Sequence, residues 1–312
     1  MDRLHAMNVF LRVAEAGSFA AAAKHLDLAR SMVTRTVAGL EAHLGTKLIA
    51  RSTRSLRLTS EGAVYLERCR EILSLVEAAE GDLAGNQFQL RGLIRVGVPL
   101  SFGVRHVAPL VGEFLASHPG LDLDLDFDDR RVNLIETGLD MAIRITSQLD
   151  PTQVARRIGR ARFLTLASPD YLARHGRPRH PAELAQHECL DYTGSSRPWA
   201  YWVDGEWRQV PVRGRLRANN GDALLDAAVR GLGICAQPSF IAAPALRSGA
   251  LEVVLPEYPT PELGIHAVFP GNRHLSARVR AFTDHLAVRM GDTPSWELDL
   301  PPQTLAGKPF SA

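Results

Sequence analysis

Residues 18–62 read SFAAAAKHLDLARSMVTRTVAGLEAHLGTKLIARSTRSLRLTSEG, and this stretch decides how the chain is organised. Val33, Val37, Leu40 and Leu44 recur at spacings of four, three and four, which predicts one buried stripe of an amphipathic helix. Arg30, Ser31, Thr34, Arg35 and Ala38 point away from that stripe. Arginines and short hydroxyls on an exposed N-terminal half suit a helix in the DNA major groove. There Arg pairs bidentately with guanine, while Ser or Thr reaches base edges and phosphates. Alone, these residues would equally suit an ordinary solvated helix; their neighbours favour the DNA-reading face. Met7, Phe10, Val13 and Ala14 predict a first amphipathic helix. Ser18 is a good N-cap for a second, Phe19 to Leu26, whose four alanines permit close packing. The short connection from Leu26 to Ala29 then makes a helix-turn-helix. Gly45 suits a left-handed C-cap. Beyond it, Lys47–Ala50 and Leu56–Leu58 predict two short strands with Arg51–Ser55 at the tip. This is a basic wing, in which Arg51 and Arg54 can reach phosphate or the adjacent minor groove.

Residues 4–62 resemble the N-terminal domain of LysR-type transcriptional regulators. The resemblance is carried by Phe10, Ala14-Glu15, Gly17-Ser18-Phe19, Ala22-Ala23 and Val33-Thr34-Arg35. Leu40-Glu41, Leu44-Gly45, Leu48, Arg51, Thr53-Arg54, Leu58-Thr59 and Gly62 complete it. The candidate DNA contacts are Ser18, Arg30, Ser31, Thr34, Arg35, Arg51, Thr53 and Arg54. The resemblance extends at lower specificity to a C-terminal effector-binding region, so that together the two cover nearly all of residues 1 to about 290. Ala29 stands where the family usually has Ser or Thr capping the recognition helix. An Ala cap costs about 1 kcal/mol, which leaves Asp27 or Ser31 to compensate, or a looser helix start. Arg30 stands where the family often has Gln, so the base preference need not follow that of relatives.

Charge agrees independently. Residues 1–60 hold nine Lys and Arg against four Asp and Glu, a net of +5, and the remainder nets −3, so the whole-chain +2 hides a basic head on a slightly acidic body. That asymmetry is the footprint of a DNA-binding domain. No apolar run approaches the ~18 residues that span a bilayer. The N-terminal segment carries acids and lacks the apolar core of a signal peptide, so the expected location is cytoplasmic. Cys69, Cys189 and Cys235 are widely spaced without a CxxC, which predicts buried reduced thiols rather than a disulfide framework or zinc site. A redox role for Cys189 or Cys235 stays open. His175, His180 and His187 fall in a Pro-rich, loop-like stretch and are expected at the surface. Neither a metal nor another cofactor is expected.

From about Ser60 to Gly85, Tyr65, Cys69, Ile72, Val76, Ala79 and Leu83 recur at four and three, widened by Leu66 and Leu73. Three heptads leaving a 60-residue head predict a dimerisation arm, with Gly85-Asn86-Gln87 as hinge. From Leu93 strands and helices alternate, which predicts α/β sheets in two subdomains. Strands are expected at Leu93–Val98, Leu121–Phe127, Met141–Ile145, Val154–Ile158, Phe163–Ala167 and Ile234–Ala236. Helices are expected at about Ser101–Ser117, Val132–Gly138, Leu224–Val229 and Ser276–Met290. LDLDLDF places Asp122, Asp124 and Asp126 on one face of a half-exposed or edge strand. Three aspartates on a flat face lack the turn that gathers ligands around an ion.

The expected fold is therefore an α/β multidomain chain. Residues 1–59 form a winged helix-turn-helix and 60–90 a linker helix and hinge. Residues 91–290 form a two-subdomain effector domain, and 291–312 a mobile tail. Resemblance to a periplasmic solute-binding fold sets the subdomains at 91–162 with 268–290, and at 163–267. Ligands in such folds sit at carboxyl ends of strands beside helix N-termini. That position nominates Ser101, Phe102, Thr146, Ser147, Asn219, Gln237 and Pro238, with a weak preference for a carboxylate ligand. No GxSxG, GK[ST], HExxH or strand-linked GxGxxG occurs, so an enzyme is not expected. The expected function is a sequence-specific transcriptional regulator modulated by a small molecule. Its expected partners are inverted-repeat DNA, its own copies as dimer or tetramer, and RNA polymerase as a further candidate. The alternatives are a non-specific architectural DNA binder and an enzyme with an appended DNA-binding head.

Overall fold

Asp2 opens the first helix, α1 (Arg3–Ala16), by accepting from the His5 amide, and Gly17 closes it in the left-handed conformation. Ser18 starts α2 (Phe19–His25) and Ala29 precedes α3 (Arg30–Leu44). The wing strands β1 (Ile49–Arg51) and β2 (Leu56–Leu58) pair antiparallel, and α4 runs Ser60–Ala84. The computed structural model describes residues 2–51, 56–84, 90–130, 133–194, 199–271, 275–291, 293–298 and 300. Three expectations lie outside the described residues: the wing tip with Thr53 and Arg54, the hinge at 85–87, and the mobile tail over 301–312. The chain divides into two compact units, one built on the head and α4, the other on the α/β body.

The head closes on Phe10, Val13, Ala22, Val33, Val37, Leu40, Leu48 and Cys69. One member of the expected stripe is corrected: Leu44 is 37% exposed, because α3 ends at Gly45 just as its side chain turns outward. Thr59 ties the wing to α4. Its hydroxyl donates to the Lys47 carbonyl at 2.6 Å and accepts from the Gly62 amide at 2.9 Å. A Cβ at Gly62 would fall 1.9 Å from the Leu48 carbonyl oxygen, so this close approach requires glycine.

The heptad seam of α4 is also corrected. Leu66 and Cys69 are buried in the head's own core, and Tyr65 and Leu73 pack against it. A short helix bundle has a face that a neighbouring helix must cover, and the N-terminal half of α4 covers it. The exposed apolar stripe lies alongside, at Val64, Ile72, Leu75 and Ala79.

In the body, β3 (Gly92–Val98), β4 (Leu121–Phe127) and β5 (Met141–Thr146) are parallel, while β14 (Leu263–Phe269) runs antiparallel to β5 and β6 (Val154–Ala161). The order is β4-β3-β5-β14-β6, so LDLDLDF is an edge strand with its aspartates exposed. Between β3 and β4 the helix is broken into α5 (Leu100–Phe102), a π-helical turn at Gly103–Val107, and α6 (Ala108–Ser117). The next helix, α7, is limited to Leu134–Thr137. The second sheet holds β7 (Phe163–Ala167), β8 (Cys189–Tyr192), β11 (Arg217–Ala218), β12 (Ile234–Pro238) and β13 (Glu252–Val253), ordered β11-β8-β12-β7-β13. The hairpin β9 (Trp199–Val203) and β10 (Glu206–Val210) turns on Asp204 and Gly205, both at positive φ. Helices α8 (Pro169–His175), α9 (Gly221–Val229), α10 (Ser239–Arg247) and α11 (Ala277–Met290) complete it.

Three expectations for the body change. The return to the first sheet comes at Leu263, not 268, because β14 already pairs with β5 and β6 from Leu263 and Gly264. The histidine stretch is not a loop: His175 ends α8 and is exposed as expected, His180 caps a 3-10 turn, and His187 is half-buried against the Tyr171 hydroxyl at 3.2 Å. Residues 293–298 are no loose tail. Trp296 is 4% exposed and donates from Nε1 to the Arg160 carbonyl at 3.1 Å, while Glu297 accepts from the Arg162 amide at 2.9 Å and guanidinium at 2.6 Å. An aperiodic segment is held here by one large ring and one carboxylate. Cys189 and Cys235 belong to core clusters on opposite faces of the second sheet. Burial pushes each thiol up to about 12, which removes the thiolate that disulfide chemistry needs.

Candidate nucleic-acid interface and effector cleft

The recognition surface is built from the turn upward. Asp27 adopts φ +53°, and the Leu28 amide donates back to the Ala23 carbonyl at 3.0 Å. Asp27 thus serves as the left-handed residue that ends α2, a place where short polar side chains substitute for glycine. It does not cap α3, and neither does Ser31: Ala29 has extended backbone and α3 has no side-chain cap. Arg30, Ser31 and Arg35 are exposed on α3, with Val33, Val37 and Leu40 buried opposite. Thr34 is half-buried, and its hydroxyl donates to the Arg30 carbonyl at 2.9 Å, which leaves the oxygen as an acceptor. The Ser18 oxygen accepts from the Ala20 and Ala21 amides at 3.2 and 3.4 Å, so it fixes the pitch of α2 first. Arg51 ends β1.

Glu41 is the functional support that periodicity missed. It is 5% exposed, yet charged. Its carboxylate accepts from Lys47 Nζ at 2.6 Å and from the amides of Leu48 and Ile49 at 3.0 and 3.2 Å. Burial alone would raise its pKa; Lys47 and the two amides outweigh burial and hold it below the usual carboxylate range. The result is a rigid joint between α3 and the wing. The detectable signal was an acid on the apolar face of the helix.

The second site lies where the two subdomains of the body meet. Ser101 is buried and its Oγ donates to Asp222 at 2.5 Å, while the Arg105 guanidinium, one turn further along, donates to the other Asp222 oxygen. Asp222 sits in the first turn of α9, whose cap is Asn220 accepting from the Ala223 amide at 3.0 Å. Gln237, at the end of β12, is 2% exposed and its carboxamide lies beside Gly221. Its Nε2 has no hydrogen-bond partner among the described residues. Asp129 accepts from the Leu100 amide at 3.0 Å, and burial, with help from Asp128 and Asp222, pushes its carboxyl up. Ser101 and Gln237 therefore converge on the start of α9.

Phe102 and Thr146 are engaged with other partners. Phe102 is buried in an aromatic cluster with Phe240, Trp296 and His106, at centroid distances of 5.1, 5.7 and 5.4 Å, and is a packing residue. Burial, with help from the Arg105 charge, pulls His106 below its usual pKa against the opposing hydrogen bond with the Phe240 carbonyl at 3.3 Å. Thr146 closes on itself in a turn, donating to the Gln148 carbonyl at 2.7 Å and accepting from its amide at 3.2 Å. Ser147 is half-buried and Asn219 exposed, while Pro238 pairs with Phe163 and precedes α10. Arg105 was missed, although its place four residues after Ser101 puts both on one helix face. Among the described residues no group of three or more His, Cys, Asp or Glu could hold a metal ion, and no helix is long and apolar enough to cross a membrane.

Two family models match. Residues 4–63 match the bacterial regulatory helix-turn-helix protein, LysR family, and residues 88–291 the LysR substrate binding domain. An uncharacterized HTH-type transcriptional regulator of Haemophilus influenzae is 36% identical over 282 residues, covering 89% of this chain and 98% of that protein. The regulator CrgA of Neisseria meningitidis serogroup C is 34% identical, covering 92% and 96%. The structure of CrgA from Neisseria meningitidis, described as a LysR-type transcriptional regulator, superposes with a TM-score of 0.59 at 33% identity, covering 92% of this chain and 99% of that one. The full-length structure of AphB, a virulence activator of Vibrio cholerae, gives 0.56 at 27%, covering 91% and 98%. A DNA-reading winged helix joined to a two-subdomain ligand-binding body, matched along nearly the whole chain, means that this protein belongs to the LysR-type family of DNA-binding transcriptional regulators.

Proposed function

We propose that this chain is a homo-oligomeric, cytoplasmic regulator that reads inverted-repeat half-sites with Arg30, Ser31, Thr34 and Arg35. Arg51 and Arg54 of the wing anchor the phosphate backbone. The observation that carries this reading is the two-faced α3, with Val33, Val37 and Leu40 buried and Arg30, Ser31 and Arg35 exposed. The exposed stripe of α4, Val64, Ile72, Leu75 and Ala79, joins two copies so that two heads face two half-sites. A small molecule held between the body's subdomains, at Ser101, Gln237 and the start of α9, changes half-site spacing or DNA bend. Its action is binding, not catalysis.

The test is retention of sheared host DNA by the purified protein at near-physiological salt, followed by sequencing. Enrichment of an inverted repeat beside a few genes is expected, and uniform retention without a motif would favour an architectural binder. On the recovered operator, Arg35→Ala is expected to cost about 1–3 kcal/mol of discrimination at one base pair per half-site, as for loss of a bidentate base contact. Competition binding with operators substituted at each position measures it. Uniform weakening across all positions would make Arg35 a phosphate contact.

A further inference from the structure

We propose that Asp222 is a built-in occupant of the anion-binding corner of the effector cleft, and that a carboxylate-bearing effector acts by displacing it. The proposal rests on the reading of this cleft as the effector site.

Ser101 and Arg105 lie one helical turn apart in the first subdomain, and both donate to a single carboxylate that belongs to the second. A hydroxyl and a guanidinium aimed at one point are an oxyanion site. Two further donor groups border it. The first turn of α9, a nine-residue helix, presents backbone N–H groups. The Gln237 carboxamide is buried beside Gly221, where a Cβ would fall 2.6 Å from Oε1, and its Nε2 has no partner among the described residues. A buried amide donor of this kind calls for an acceptor that the described residues do not supply. Asp222 satisfies Ser101 and Arg105 and leaves Gln237 unserved.

An incoming carboxylate exchanges one set of charge-assisted hydrogen bonds for an equivalent set, so the donors lose nothing. What changes is connectivity. Asp222 ties α5 and its π-helical turn to α9, and therefore ties one subdomain to the other; a free carboxylate does not. The ligand gains differential affinity for the untied state, which is the requirement for shifting a conformational equilibrium. Its apparent affinity is its intrinsic affinity multiplied by the fraction of molecules in which the tie is already open. An amide or amine of the same shape cannot replace the negative charge between Ser101 and Arg105.

The test uses the full chain as wild type, Asp222→Ala and Asp222→Asn, with acetate as probe and acetamide and chloride as controls at matched ionic strength. Thermal melting is followed as each is titrated. Asp222→Ala is expected to take acetate at concentrations at least about tenfold below those needed by wild type, with no response to acetamide. Asp222→Asn keeps the side-chain size and removes the charge; it is expected to show the same gain, so the outcome does not depend on the Ala variant folding. Equal acetate response in all three proteins, or no difference between acetate and acetamide, would overturn the proposal. DNA retention by the same preparations reports on the regulator reading separately, since operator binding can persist when acetate selectivity fails.

Discussion

Glu41 shows how one side chain can set the geometry of a reading head. Its carboxylate is the joint on which α3 meets the wing, through Lys47 and the amides of Leu48 and Ile49. Because its pKa is held below the ordinary 4.5, its contribution to stability is present in full above that value. It is lost as pH falls through the lowered value of the folded state. Glu41→Gln keeps the shape and removes the charge, and is expected to destabilise the head by about 1–2 kcal/mol at pH 7. Urea denaturation of both proteins at stepwise lower pH checks this: the gap between them should narrow below pH 4.5. A gap that stays constant into acid would show that the packing, not the charge, matters. Ala29 is the converse case. The recognition helix begins without a side-chain cap, and Asp27, which the sequence nominated as a substitute, is spent on ending the previous helix.

At the scale of the element, α4 does two jobs with two faces. Leu66 and Cys69 complete the head, while Val64, Ile72, Leu75 and Ala79 remain exposed alongside. A pattern of fours and threes in sequence records that a helix has an apolar side, but it does not say which neighbour covers it. Leu75 is 44% exposed and outside the head's core cluster. Leu75→Glu is therefore expected to weaken self-association at least tenfold while leaving the head's melting unchanged, as sedimentation measurements at graded concentration would show. Unchanged association would move the interface off this stripe. The strand LDLDLDF was legible as half-exposed or edge because strict alternation suits a strand with one solvated face, and the sheet order makes it an edge. The interruption of the preceding helix at Gly103–Val107 was not legible, since a π-helical turn has no compositional mark.

At the scale of the whole molecule, the C-terminal segment fastens the body. Trp296 packs on Phe102 and Phe240, which come from different subdomains, and Glu297 binds Arg162 and Ser239. Trp296→Ala is expected to destabilise the body by about 3 kcal/mol or more, a fall of about 6–12 °C in its melting transition, with the head's transition unmoved. Calorimetry on the full chain resolves the two, and a body that melts as before would return the segment to a passive role. The sequence alone determined the winged head, the linker helix, the alternating body and the charged face of α3. Each of these follows from local periodicity, turn chemistry and capping, which act between residues a few positions apart. Only the tertiary structure decided what those elements meet. Phe102 became a packing ring, Ser101 and Arg105 found Asp222 more than a hundred residues away, Cys189 and Cys235 went to opposite faces of one sheet, and β14 crossed back at Leu263. Contacts of that range depend on how whole layers stack, and the order of residues along the chain carries no period from which they can be read.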